Sequence, residues 1–263
     1  MKERATRRSQ PEVTQAVDRA LQILLLLGSE GREMGVSEIA SRLDLWKSTV
    51  HRTLATLAAR GFVSKHPETD RYFLGVKLFS LGMRWREKAG LVPLVRPVME
   101  KLAAELGEAV HLVVLDPDPE SPHTVVVVDR VDSAHVLGVT PRVGFGSAAH
   151  CSAVGKVLLA HSPPHLVERI IRTRGLPRFT PNTITDEQAL LAELARTRER
   201  GYAIDDEEME IGLYCVAAPV RDAHGEVVAA LSVSGPAARL SPRYQEVARE
   251  VMQAAAEVSA RLH

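Results

Sequence analysis

The sequence predicts a chain of mixed class. A mainly helical winged helix-turn-helix comes first, then a linker helix, then an α+β domain around an antiparallel sheet. Three observations predict it. Two short amphipathic helices meet at a tight turn and are followed by a hairpin, all before residue 75. Val-rich runs joined by short turns, with amphipathic helices beside them, dominate the later part. The charge divides at the same place. The whole chain balances 33 Lys and Arg against 33 Asp and Glu, yet residues 1–90 stand at +6 and residues 91–263 at −6. A basic front and an acidic back imply two domains with different partners.

Residues 1–12 are polar, with Pro11 as a breaker, and read as a disordered tail. The winged domain is expected over residues 13–74. In residues 14–27, Val17, Leu21, Leu24 and Leu25 recur at helical spacing, and Gly28 is expected to stop that helix. Ser37 is expected to cap a short second helix through residue 43, with Glu38 in its first turn. Asp44-Leu45 makes the turn. A third helix is expected over residues 46–60, ended by Gly61 in a left-handed cap. Val50, Leu54, Leu57 and Ala58 form its buried stripe.

Lys47, Ser48, His51, Arg52 and Thr53, with Thr49 among them, crowd the N-terminal half of that helix. Such a helix can enter a major groove and offer side chains to base edges and phosphates. A charged face alone is usually only solvated; spacing, turn and local charge together favour double-stranded DNA. Residues 62–65 and 71–74 read as two strands around a turn, a wing on which Lys65 and Arg71 are the expected phosphate contacts. Residues 75–90 read as a linker helix with Val76, Phe79 and Met83 on one side.

Here a family resemblance begins. Ala16-Val17-Asp18-Arg19-Ala20-Leu21-Gln22-Ile23-Leu24 resembles the opening of IclR-type transcriptional regulators. So does Lys47-Ser48-Thr49-Val50-His51-Arg52 with Leu54, Leu57 and Gly61-Phe62-Val63. The family often has Pro where this chain has Trp46, and Pro pre-sets a helix start. Trp46 is expected to pack on the first helix or lie against the sugar-phosphate surface.

The back domain is expected over residues 91–263. Leu91, Leu94, Val95, Val98 and Leu102 mark a helix closed by Gly107. Strands are expected at 109–115, 124–131, 135–139, 213–220 and 227–234, with proline-rich or glycine-rich loops at 116–123 and 141–146. Residues 152–161 read as a helix. Ser162-Pro163 opens another, with Ser162 as cap and Pro163 at the first position. Thr185-Asp186-Glu187-Gln188 reads as a capping box for a helix that ends at Gly201. Ser241-Pro242 opens the last helix, with Val247, Val251, Ala254 and Val258 on one face.

Several function classes drop out. There is no G-x-G-x-x-G, no P-loop and no H-E-x-x-H. Two cysteines, Cys151 and Cys215, make neither a disulfide framework nor a closed zinc site. His111, His150 and Cys151 lack diagnostic ligand spacing, so no metal and no cofactor is expected. The longest aliphatic run, 23–27, is far short of the ~20 residues that span a bilayer. A cytoplasmic protein with no membrane partner is expected.

The resemblance extends through this half. Gly144-Phe145-Gly146-Ser147-Ala148-Ala149-His150-Cys151-Ser152-Ala153-Val154-Gly155-Lys156 is similar to the family's loop into its effector helix. Gly201-Tyr202-Ala203-Ile204-Asp205-Asp206-Glu207-Glu208 with Gly212-Leu213-Tyr214-Cys215-Val216-Ala217-Ala218-Pro219-Val220 is similar to its second signature, and Ala229-Ala230-Leu231-Ser232-Val233-Ser234-Gly235-Pro236 to its third. The resemblance implies a GAF-like effector-binding domain, dimers or tetramers, and a small organic or aromatic acid as effector. By matching positions it places effector contacts on Val136, Val139, Ala153, Val154, Asp205, Leu213, Cys215, Ser232 and Ser234. The residues themselves allow duller readings: Ala153 and Gly155 for close helix packing, Cys215 as a small core hydrophobe, and Asp205 to Glu208 as a solvated turn. His150-Cys151 raises an enzymatic alternative, a sensor or hydrolase with a helix-start thiolate. No third orienting group is evident, so no catalytic residue is assigned. A DNA-binding protein without an effector is the remaining alternative.

Overall fold

A computed structural model describes residues 14–88, 91–116, 124–135, 142–144 and 146–262. The tail expected over residues 1–12 lies outside them. Two compact units divide between residues 85 and 86.

The first unit contains α1 (Gln15–Glu30), α2 (Val36–Arg42), α3 (Lys47–Ala59), β1 (Val63–Lys65) and β2 (Tyr72–Leu74), then most of α4 (Val76–Lys88). Ile23, Leu27, Ile39, Val50, Leu54, Val63 and Tyr72 form one core among these elements. The turn between α2 and α3 sets Asp44 at φ 52°, a left-handed conformation that Asp adopts more readily than most residues. Leu45 N–H donates to the Ala40 carbonyl at 2.9 Å and closes that turn. Val63, Ser64 and Lys65 pair antiparallel with Leu74, Phe73 and Tyr72, which makes the wing.

Three local expectations are corrected here. Gly28 does not stop α1, which runs on to Glu30 and is capped by Gly31 at φ 62°. A lone helical glycine costs only ~1 kcal/mol, less than burying a leucine returns. The face of α1 also differs: Ile23 and Leu27 are buried, while Val17, Leu21 and Leu25 are exposed. Five consecutive aliphatics at 23–27 leave the helical phase open, and packing selects it. Gly35 rather than Ser37 is the N-cap of α2.

The second unit contains α5 (Leu91–Leu106), β3 (Ala109–Leu115), β4 (Val125–Val131), β5 (Gly146–Ser147), α6 (Ala153–Ala160), α7 (Pro164–Arg174), α8 (Glu187–Arg200), β6 (Ala203–Asp206), β7 (Leu213–Arg221), β8 (Val227–Pro236), α9 (Ala237–Leu240) and α10 (Tyr244–Arg261). Six strands pair antiparallel in the order β5-β4-β3-β8-β7-β6. Alternate residues of a strand face opposite sides, and the core divides accordingly. Val216, Ala218, Leu231 and Val233 pack with α5 and α10. Val113, Cys215, Ala217 and Ala230 face α6, α7 and α8.

The predicted α+β class and antiparallel sheet are what the structure has, but edges differ. His135 lies in a bend, and the rest of the strand expected at 135–139 falls outside the described residues. β5, β6 and α9 have no counterpart in the sequence reading. Pro164 starts α7, while Ser162 turns back and donates to the Leu158 carbonyl at 2.8 Å. Asp186, not Thr185, caps α8 by accepting the Ala189 N–H at 2.8 Å. Residues Ser241–Arg243 form a 3-10 turn, and the last helix proper begins at Tyr244.

Candidate functional site

The face of the sheet beneath α6 is hollowed rather than filled. A cavity of about 850 Å³ opens there. Ala153, Val154, Asp205, Leu213, Cys215, Ser232 and Ser234 all border it. Val136 and Val139 lie outside the described residues. Ser152, at the helix start that the sequence marks, lines it too; sequence reasoning missed His111, Ser147 and Met209 as lining residues. A signal for His111 was present: it stands two residues before Val113 in a Val-rich strand, and so shares its face.

Register explains how residues distant in sequence converge. His111 pairs with Ser232, and Ser232 with Ala217. One pleat away, Ser234 pairs with Cys215, and Cys215 with Asp205. Directly opposite residues share a face, so two polar rows cross the sheet side by side. Val113, Val125, Val127 and Leu213 supply apolar wall. An apolar cavity with a few convergent polar groups is how small-molecule sites are built.

The N-terminus of α6 borders the same cavity through Ser152, Ala153 and Val154. Ser152 caps the helix by accepting the Gly155 N–H at 3.3 Å. Gly155 is required for close approach: a Cβ there would lie 2.3 Å from the Ala149 carbonyl oxygen. The packing role considered for this glycine therefore holds, and it sets where the helix start sits. Helix N-termini favour anions through free N–H groups and the helix dipole.

Asp205 is 1% exposed and Glu208 is buried, so the solvated-turn reading is corrected at those two positions, while Asp206 is exposed. Its Oδ1 accepts the Glu208 N–H at 2.8 Å and the Met209 N–H at 3.3 Å. Burial pushes its carboxyl up to about 7, against the pull of those N–H groups and of the Lys156 ammonium. Lys156, 1% exposed on α6, donates to Glu208. That ion pair ties α6 to the loop after β6, so both chamber walls share one fastening. Burial also lowers His111, helped by the Arg130 cation, to about 4. At neutral pH it is an uncharged imidazole.

The enzymatic alternative has little geometry behind it. Cys151 donates to the Ala148 carbonyl and faces the Met209 sulfur, each at 3.8 Å. Burial, with Asp205 and Glu208 nearby, pushes its thiol up to about 12. His150 Nε2 contacts the Pro177 carbonyl at 3.0 Å instead. The two neighbours in sequence thus have different partners. Among the described residues no group of three or more His, Cys, Asp or Glu could hold a metal ion.

On the first unit, α3 presents Lys47, Ser48, His51 and Arg52 to solvent; Thr49 and Thr53 are half-buried. Thr53 donates its hydroxyl to the Thr49 carbonyl at 2.9 Å. Trp46, the N-cap, is 84% exposed, so it does not pack on α1. Lys65 pairs with Asp70 at 2.6 Å. Arg71 reaches inward: Nη2 meets Glu38 at 2.7 Å, and Nε and Nη2 donate to the Glu33 carbonyl at 3.2 and 3.0 Å.

A winged helix-turn-helix and a small-molecule chamber on one chain define a class, the DNA-binding regulator with a ligand-binding domain. The pattern described as bacterial transcriptional regulator IclR C-terminal matches residues 85–260, and the IclR helix-turn-helix domain matches residues 16–67. The chain belongs to the IclR family of transcriptional regulators. It is 40% identical over 246 residues to the HTH-type transcriptional regulator BhcR of Paracoccus denitrificans, covering 93% of this chain and 86% of that protein. It is 33% identical to the transcriptional repressor IclR of Escherichia coli, covering 93% and 89%. Among solved structures, an IclR transcriptional regulator from Alicyclobacillus acidocaldarius aligns with a TM-score of 0.82 at 29% identity, over 96% of this chain and 100% of that one. An IclR homolog from Microbacterium hydrocarbonoxydans, complexed with 4-hydroxybenzoate, aligns with a TM-score of 0.77 at 26% identity, over 94% and 99%. No helix among the described residues is long and apolar enough to cross a membrane.

Proposed function

We propose that this protein binds an operator through its first unit and a small organic acid in the chamber of its second, and that the acid changes operator binding. The carrying observation is convergence: Asp205, Cys215, Ser232, Ser234 and the start of α6 come from four separate elements to one cavity. Ser232 and Ser234 serve as hydroxyl partners and the α6 amides as the anion seat. Ligand control requires only that the acid bind two arrangements of the protein with different affinity.

Lys47, Ser48, Thr49, His51, Arg52 and Thr53 are the proposed DNA-facing set of α3, with Trp46 beside the sugar-phosphate surface. Lys65 on the wing is a phosphate contact once Asp70 is displaced. Arg71, held by Glu33 and Glu38, acts on DNA by positioning the wing. Self-association as dimer or tetramer belongs to the same reading. Val17, Leu21 and Leu25 on α1, and Val76 and Phe79 on α4, are exposed apolar side chains of the kind that mark interaction surfaces.

The test is an operator titration with and without a panel of organic acids, using wild type and a Ser232→Ala, Ser234→Ala double variant. The variant should keep operator binding and its oligomeric state and lose the response. An unchanged response at the same acid concentration would remove the serines from the chamber's function.

A further inference from the structure

His111 is 2% exposed, lines the chamber, and leaves Nε2 without a hydrogen-bond partner among the described residues. Such an orphan is costly, because a buried polar atom forfeits its water and receives nothing in return. The position is not a packing accident: the neighbouring Val110 and Leu112 turn to the other face of β3 and are buried there. His111 therefore faces the hollow side by strand alternation.

It also stands apart from the other polar end. β3 and β6 are separated by β8 and β7, so at ~4.8 Å per strand His111 and Asp205 sit on strands ~14 Å apart. α6 as a whole packs mainly over β7 and β8, then β6, with less contact to β3. A ligand whose carboxylate is held at α6 satisfies His111 Nε2 by presenting a second polar group to it.

We propose that His111 is a specificity-determining residue and that the chamber's ligand is a hydroxy acid, its hydroxyl hydrogen-bonded to His111 Nε2. This rests on the acid reading given above. The uncharged imidazole forms no ion pair with a second carboxylate, so it repays the burial of that charge with a hydrogen bond alone. A hydroxyl donates and accepts, so it suits either tautomer of the ring. A site with a buried hydrogen-bonding group discriminates strongly against a ligand that lacks the matching one.

The experiment is calorimetric titration of the full-length protein with two matched pairs, 4-hydroxybenzoate against benzoate and lactate against propionate. At least one hydroxy acid should bind roughly tenfold tighter than its deoxy partner. His111→Leu should erase that preference by weakening the hydroxy acid alone. His111→Gln, whose amide reaches the Nε2 position, should restore part of it. His111→Phe repeats the deletion at larger volume if the leucine variant does not fold. Equal binding within each pair by wild type overturns the inference and leaves the acid reading standing. So does a deletion that weakens both partners alike or keeps the preference. Binding of none of the four overturns it together with the acid reading.

Discussion

Gly155→Ala tests the link between packing and chamber most directly. The added Cβ would meet Ala149 Cα and O at 2.3 Å and C at 2.6 Å. Ordinary contact begins near 3.4 Å, so α6 or the loop before it must move by about 1 Å. These are backbone atoms, and no rotamer can absorb the shift. Overpacking of this kind costs typically ~1–3 kcal/mol. The alanine returns up to ~1 kcal/mol as the better helix former. At the upper end of that range the net is a loss of about 2 kcal/mol, or about 4–8 °C for a unit of this size. The same movement displaces Ala153 and Val154, so the acid response should weaken while operator binding stays. Gly82→Ala is the control of opposite sign. Gly82 is inside α4 with nothing within 4 Å of its virtual Cβ, so the change should stabilise by up to ~1 kcal/mol. Both are read by thermal and urea unfolding of the full chain, with operator titrations alongside. A Gly155→Ala protein as stable as wild type, answering acids normally, would refute the claim that this close approach holds the α6 start in place.

The remaining outcomes concern charge and the DNA face. Asp205, raised to about 7 when folded from 3.8, binds more protons in the native than the unfolded state between those values. Its contribution to stability is therefore present at low pH and lost as pH rises from about 4 to 7; Asp205→Asn should flatten that part of a melting-temperature profile, and an unchanged slope would count against the burial argument. Lys156→Met strands the Glu208 carboxylate in the interior and should cost about 3–5 kcal/mol in urea unfolding, with much of it recovered when Glu208→Leu is added; full additivity of the two would contradict the coupling. Arg52→Ala should narrow the gap between operator and random DNA by ~1–3 kcal/mol in competition binding. Arg71→Ala should weaken both DNAs alike and lower the first unit's stability, since the Glu33 carbonyl loses its guanidinium donor and Glu38 is left with Arg32 alone; a specificity loss from Arg71→Ala equal to that from Arg52→Ala would reverse the assignment.

Much of this architecture was legible without coordinates because it follows from local rules. Gly31, Gly61, Gly107 and Gly201 adopt positive φ, and glycine after an amphipathic run announces a helix end. Even so, Gly28 was the wrong glycine, since both close the same run and only packing distinguishes them. Val-rich β3, β4, β7 and β8 announced themselves as buried strands. β6 did not, because Asp205-Asp206-Glu207-Glu208 has the composition of a solvated turn. It is a strand because β7 supplies its hydrogen bonds, while in the loop after it Lys156, from another element, supplies the charge that lets Glu208 go inside.

Sequence alone thus determined most of the helices, the four long strands and their order, since propensity, capping and periodicity act over a few neighbouring residues. Tertiary structure decided the phase of α1, the inward turn of Arg71 onto Glu38, the burial of Asp205, and the meeting of His111 with Ser232 across paired strands. Each of these depends on a partner far away in the chain: 33 positions separate Arg71 from Glu38, and 121 separate His111 from Ser232. Their energies come from burial and from pairing across strands and helices, which no local window contains.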